Sequence, residues 1–349
     1  MLTDSTGAQH SRQRDLASET ALRGTPETEN ILQTVTKREK EQAKGMKGDL
    51  VFRYLTTCFA FSILAILALM LYEMTGESMP SIRAFGWKFV SSSDWDAVQG
   101  VFGALPYLYG SVVSSVLALL LATPLSIGAA LFITEIAPAR WGTIIAPLVE
   151  LLAAIPSVIY GLWGVLVMAP WLQSTVQPFL IEHFGFIPLF QGAPYGVSML
   201  AAIFILMIMV VPIITSITRE VLLAVPLSQK EAAIALGATR WETIKMAILP
   251  YGKSGILGAA ILGLGRAIGE TMAVTMVIGN APNISLSLLS PAYTMPSVIA
   301  NEFAETTSKL HGSALMEIGL ILMVVTLIVN GLARLLIWSV SKSANGGAA

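Results

Sequence analysis

Charge is scarce in this sequence. Only 12% of its 349 residues are Asp, Glu, Lys or Arg, about half the share of an ordinary soluble domain. With 54% hydrophobic residues and a mean hydropathy of +0.71, that scarcity excludes a soluble globular chain and indicates a membrane protein. An excess of one sign is missing too. The formal net charge is -1 and no basic stripe with interleaved aromatics occurs, so no nucleic-acid partner is expected. Cysteine is nearly absent: the single Cys58 lies in the first apolar run, which leaves no intrachain disulfide. The three histidines, His10, His183 and His311, have no ligand spacing, so no metal site is expected. No Ser/His, paired-Asp or zinc-type constellation falls on facing segments, and no catalytic residue is assigned.

The few charges are unevenly placed. Residues 1–48 carry eight Lys or Arg and seven Asp or Glu, out of 21 and 22 in the whole chain. That stretch mixes Ser, Thr, Gln, Glu and Lys with almost no aromatics, too little apolar surface to offset the entropy of ordering it. A mobile cytoplasmic tail is therefore expected over 1–48, a membrane domain over 49–340 and a short C-terminal tail over 341–349. No basic n-region with a small-residue cleavage site opens the chain, so the first span is expected to stay in the membrane.

A helix needs about 20 apolar residues to cross the hydrocarbon core. Six runs qualify: Leu55 to Tyr72, Tyr107 to Thr134, Ile144 to Ala169, Tyr195 to Thr218, Gly255 to Gly279 and Ser313 to Ile337. Lipid offers no partner for open strand edges, so the fold class is all-α, polytopic, with six transmembrane helices. Lys and Arg concentrate in the tail (Lys37, Arg38, Lys40, Lys44, Lys47, Arg53), at Arg140, in the fourth-to-fifth loop (Arg219, Lys230, Arg240, Lys245, Lys253) and at Arg334 and Lys342. The opposite loops hold Arg83, Lys88 and Lys309. Both termini are therefore expected in the cytoplasm. Trp and Tyr of the outer loops are expected as interface anchors, and Pro156 is expected to break or kink the third run by removing an NH donor.

Two nucleotide-like motifs fail on spacing. Gly252-Lys253-Ser254 has Ala247 where a phosphate-cradling loop needs glycine. Gly263, Gly265 and Gly269 are spaced GxGxxxG, with no βαβ unit around them. The chain is thus expected to bind no cofactor itself. The segment Pro226 to Pro250, within a cytoplasmic loop over 219–250, reads as two short helices around Gly237. Ser228 is the candidate N-cap and Ala232, Ala233 and Leu236 form a small packing face. The second helix starts at Thr239, carries Trp241, Ile244 and Ile248, and ends at Pro250.

Glu231-Ala232-Ala233, Gly237 and the closing Leu249-Pro250 resemble the EAA loop of ABC-importer permeases, whose short helix docks on a cytoplasmic ATPase. The family pattern has isoleucine where Ala247 stands. "GLGRAIGETMAVTMVIGN", "ELLAAIPSVIYGLWG" and "ANEFAE" beside "LHGSALMEIGLIL" are similar to segments of the PstC-type permeases of bacterial phosphate importers, a resemblance covering about Lys47 to Val340. It implies a type I ABC importer permease architecture in the bacterial inner membrane. It further implies a heterodimer with a PstA-type permease, a PstB-type ATPase dimer that uses ATP and Mg, and a periplasmic PstS-type phosphate-binding protein. Glu231, Ala232, Ala233 and Gly237 are then the ATPase-coupling residues.

Arg266 and Glu270 stand four apart in an apolar run. On a continuous helix they share a face and can pair, with Gly265 and Gly269 as an adjacent bare stripe for close helix approach. Intramembrane charge is costly and marks function, and a guanidinium suits a tetrahedral oxyanion. Arg266, Glu270 and Glu150 are the candidate pathway residues. Glu135 and Glu317, near helix ends, are read as interfacial. Physics alone leaves sulfate, molybdate and phosphate equivalent, and leaves open a self-sufficient secondary transporter or channel.

Overall fold

The computed structural model describes residues 26–345, and among these every regular element is helical. Contacts divide the chain into two units, Met1–Leu71 and Tyr72–Ala349, and the first helix, α1 (Pro26–Phe85), carries the boundary. Of the expected mobile tail, residues 1–25 lie outside the described residues, while residues 26–48 are helical. Six helical stretches among the described residues are long and apolar enough to cross a membrane, the number expected.

The second unit is built around α2 (Leu105–Leu131) and α5 (Met199–Leu223). A stripe of small residues on α2 (Ser111, Ser114, Ser115, Ala118, Ala122 and Ser126) is buried. Removing bulk along one face lets the apolar face of α5 approach closely, since van der Waals packing rather than hydrophobic transfer drives association in lipid. Ile203, Leu206, Met209, Val210 and Ile214 fill that contact. Ser126 Oγ donates to the Val211 carbonyl at 3.2 Å. The helix α7 (Leu249–Ile268) reaches α5 through Gly263, where a Cβ would stand 2.8 Å from both Ile214 Cδ1 and Val210 Cγ1. Close approach therefore falls at Gly263. At Gly265 and Gly269 a Cβ would find nothing nearer than 3.8 and 3.6 Å, so the expected bare stripe is not a packing seam within this chain.

Four π-helical turns punctuate the spans: Phe132–Ile136, Gly164–Met168, Leu172–Val176 and Ile244–Ile248. Each ends two residues before a proline, namely Pro138, Pro170, Pro178 and Pro250. Proline lacks the NH for the usual bond and its ring crowds the carbonyl four residues back. A wider turn ahead of it relieves both faults. This corrects the expected stop at Pro250: the helical stretch runs from Arg240 through Pro250 to Ile268. The third span also differs. Pro156 does break the run, but α3 (Ala139–Ala153) stands before it, and the spanning stretch is Ser157–Phe184, not Ile144 to Ala169.

Several aromatics of the connections expected to carry interface anchors form a second core instead, while Trp87 and Tyr195 stay exposed. Phe89, Phe102, Tyr107 and Tyr293 are buried together, with Trp95 packed against them. Glu302, at the end of α9 (Met295–Glu302), accepts from Trp95 Nε1 at 2.9 Å and lies 3.1 Å from His311 Nε2 on α10 (Lys309–Asn345). His311 stacks on Phe102 with ring centroids 5.3 Å apart. Burial pushes the Tyr293 phenol up to about 12, against the opposing effect of its Asn301 hydrogen bond. Glu302→Ala removes the acceptor of the part-buried Trp95 NH and the partner of His311 Nε2, and is expected to cost ~1–3 kcal/mol. A lowered melting temperature of the purified protein is the readout.

Candidate functional site

The helix α7 ends between the two residues expected to pair. Arg266 is exposed in its last turn, Gly269 follows Ile268 as the cap, and a new helix α8 (Met272–Val277) begins three residues later. Glu270 is 8% exposed and its Oε1 accepts from the Ala273 NH at 3.2 Å. The carboxylate thus serves the free amides at the start of α8, where the helix dipole also favours negative charge. Arg266 and Glu270 form no ion pair. The shared helix face does not exist, because Gly269 ends the helix and the nearby backbone donor takes the carboxylate.

A residue without an earlier role stands beside this break. Tyr160, on α4 (Ser157–Trp163), is buried and donates its hydroxyl to the Leu152 carbonyl at 2.9 Å, tying the two sides of the Pro156 break together. One residue on, a Cβ at Gly161 would lie 2.7 Å from Met276 Sδ and 3.0 Å from Ala273 Cα, so α4 and α8 pack with almost no gap. Two helix starts, at Ser157 and Met272, therefore lie on segments that pack against each other. With the α8 start held by Glu270, the unpaired Arg266 guanidinium is the donor group here that suits an anion. The sequence signal was available: Tyr160 follows Pro156 by one helical turn, a position able to reach back across the break.

Glu150 is not brought to this place. It lies exposed on α3, 3.9 Å from Arg219 Nη1, which itself holds Glu220 at 2.7 Å. An exposed pair at that distance contributes little.

The Pro226 to Pro250 segment keeps its turn and changes its caps. The helix α6 (Leu227–Ala235) starts after Pro226 with no side-chain cap, so Ser228 sits inside its first turn and not at the N-cap. Gly237 has φ +88° with open space where a Cβ would stand. That left-handed conformation is free to glycine and costly to others. Thr239 and Glu242 then form a capping box at the next helical start. Glu231 and Ala232 are exposed and Ala233 half-buried. Leu236 does not pack: it is 90% exposed, beside exposed Ile234, Trp241 and Met246. Clustered apolar exposure of this kind marks a surface that meets a partner. Beneath α6, Lys230 Nζ lies 2.6 Å from Glu135 Oε1, which gives Glu135, at the end of the second span, an ion-pair partner.

Residues 122–342 match the family of binding-protein-dependent transport system inner membrane components. The chain belongs to this family. It is 43% identical to a phosphate transport system permease protein PstC of Pasteurella multocida, over 89% of this chain and 98% of that protein. It is 45% identical to a protein of the same name from Mesorhizobium japonicum, over 82% and 89%. Within the family the chain is a PstC-type permease. A bacterial alginate ABC transporter chain shares the fold at TM-score 0.55 and 18% identity, covering 80% of the permease and 92% of that chain. A chain of the MetNI methionine ABC transporter matches at TM-score 0.50 and 16% identity, covering 66% and 93%. The permease is thus a multi-pass inner-membrane subunit of an ABC-transporter complex with other subunits. Family membership excludes the self-sufficient transporter or channel.

Proposed function

We propose that this permease imports inorganic phosphate as one half of a translocation pathway completed by a PstA-type permease, and that ATP hydrolysis with Mg takes place on a PstB-type ATPase dimer. A periplasmic PstS-type protein delivers the anion. The identity of 43% to a phosphate permease over 89% of the chain carries this reading.

The pathway contribution of this chain is Arg266, at the end of α7 where the spanning helix breaks. A guanidinium is permanently charged and its forked donors match two oxyanion oxygens at once. Glu270 keeps the α8 start in place and holds negative charge close by, which limits how tightly an anion binds and so favours its release. Glu150 with Arg219 is a remote candidate for the same pathway. The exposed face of α6, with Glu231, Ala232, Ala233 and the Gly237 turn, is the surface on which the ATPase docks, as the coupling part of a cytoplasmic loop over 219–250. Both termini then lie in the cytoplasm.

The test is the purified complex in proteoliposomes with binding protein supplied outside. Phosphate-loaded binding protein is expected to stimulate ATP hydrolysis and phosphate entry, and sulfate is expected to do neither. Equal stimulation by sulfate rejects phosphate specificity and favours a general oxyanion importer.

A further inference from the structure

Docking on α6 can reach the spans through its short link to α5, Ala224 to Pro226, and through whatever side chains tie α6 to other helices. None of its residues is buried, and only Lys230 and Ala233 are half-buried. Those two are three apart and share one face. Lys230 makes the only side-chain hydrogen bond from α6 to another element among the described residues, to Glu135 at 2.6 Å. The bond joins positions 95 residues apart.

Glu135 is well placed to receive a push. It sits in the π-helical turn Phe132–Ile136 that continues α2, the helix whose small-residue stripe packs along α5. The side chains are only 19% and 16% exposed, so water and salt screen the pair weakly. Removing one partner strands the other charge in a partly dry place. The buried apolar cluster in this region, Ile244 and Ile248 with Ala130, Leu131, Leu222 and Val225, includes no residue of α6. That helix touches the Ile244–Ile248 turn only from its surface. A cavity of about 210 Å³ borders the pair, lined by Ile136, Ile234, Arg240 and Thr243 among others. The ion pair is the polar link across that cavity from α6 to the end of α2.

We infer that the Lys230–Glu135 ion pair is the strut that carries displacement of α6 into the second membrane span. Both are positioning residues for coupling. The inference rests on the reading of α6 as the ATPase docking surface.

The measurement is phosphate moved per ATP hydrolysed by the reconstituted complex, with phosphate-loaded binding protein. Lys230→Met and Glu135→Gln are each expected to lower that ratio about tenfold while ATP hydrolysis persists. Lys230→Arg is expected to stay near wild type, and the exchange of both charges, Lys230→Glu with Glu135→Lys, to recover much of the loss. Single variants with the wild-type ratio overturn the inference. So does a loss that neither arginine nor the exchanged pair recovers, which assigns the site to packing. If the single variants do not assemble with the ATPase, the exchanged pair decides: recovered assembly and ratio support the strut, and no recovery overturns it. A wild-type complex without phosphate-stimulated turnover overturns the functional reading instead.

Discussion

Arg266→Gln is expected to lower phosphate uptake at least tenfold while the subunit still assembles. A hydrogen bond to a charged partner contributes ~1.5–3 kcal/mol, about ten- to a hundredfold in a rate or binding constant, and glutamine also loses the full positive charge. Assembly should survive because Arg266 is exposed and unpaired within this chain, so no buried partner is stranded by its removal. Arg266→Lys keeps the charge without the fork and should fall between the two. Glu270→Gln separates the neighbours. An amide oxygen can still accept from the Ala273 NH, so α8 keeps its start and uptake should fall far less than with Arg266→Gln. Uptake of radiolabelled phosphate, normalised to assembled complex, reads all three; wild-type uptake by Arg266→Gln would remove Arg266 from the path.

Gly237→Val is expected to separate ATP hydrolysis from transport. The chain turns at φ +88°, where a side chain meets no neighbour yet the backbone itself is strained by ~1–2 kcal/mol. A β-branched residue is the worst case there. The chain escapes the strain by re-aiming α6 relative to the capped start at Thr239, which displaces Leu236 and Ile234 from their docking positions. Asparagine tolerates the left-handed region, so Gly237→Asn should retain most coupling. Glu231→Lys, which reverses an exposed charge on the same helix, should uncouple by a different route, leaving α6 in place. The readout is stimulation of ATPase activity by phosphate-loaded binding protein. Full stimulation in Gly237→Val would show that the turn does not set the docking geometry.

These effects differ in how far the sequence announces them. The sharp turn at Gly237 is legible because glycine between two helical patterns is a local signal, and the break at Pro156 follows from one missing NH. The six spans are legible because apolar length against a ~30 Å core is a one-dimensional property. The π turns are also local in origin, since each precedes a proline by two residues, and the rule that connects them is visible in the sequence once stated. The spacing of Arg266 and Glu270 misleads for the opposite reason. Spacing of four implies a shared face only if the helix is continuous, and Gly269 offered two readings: a close-approach stripe or a helix end.

The sequence by itself determined the membrane setting, the number of spans, the turn that presents α6 and the presence of an intramembrane arginine, because each rests on composition or on the backbone needs of single residues. Tertiary structure alone decided the partners. Lys230 meets Glu135 across 95 residues and Trp95 meets Glu302 across 207, while Glu270 turns to a backbone amide and leaves Arg266 free. Which charge satisfies which depends on where helices end and how closely small residues let them pack, and those distances exist only in the folded bundle.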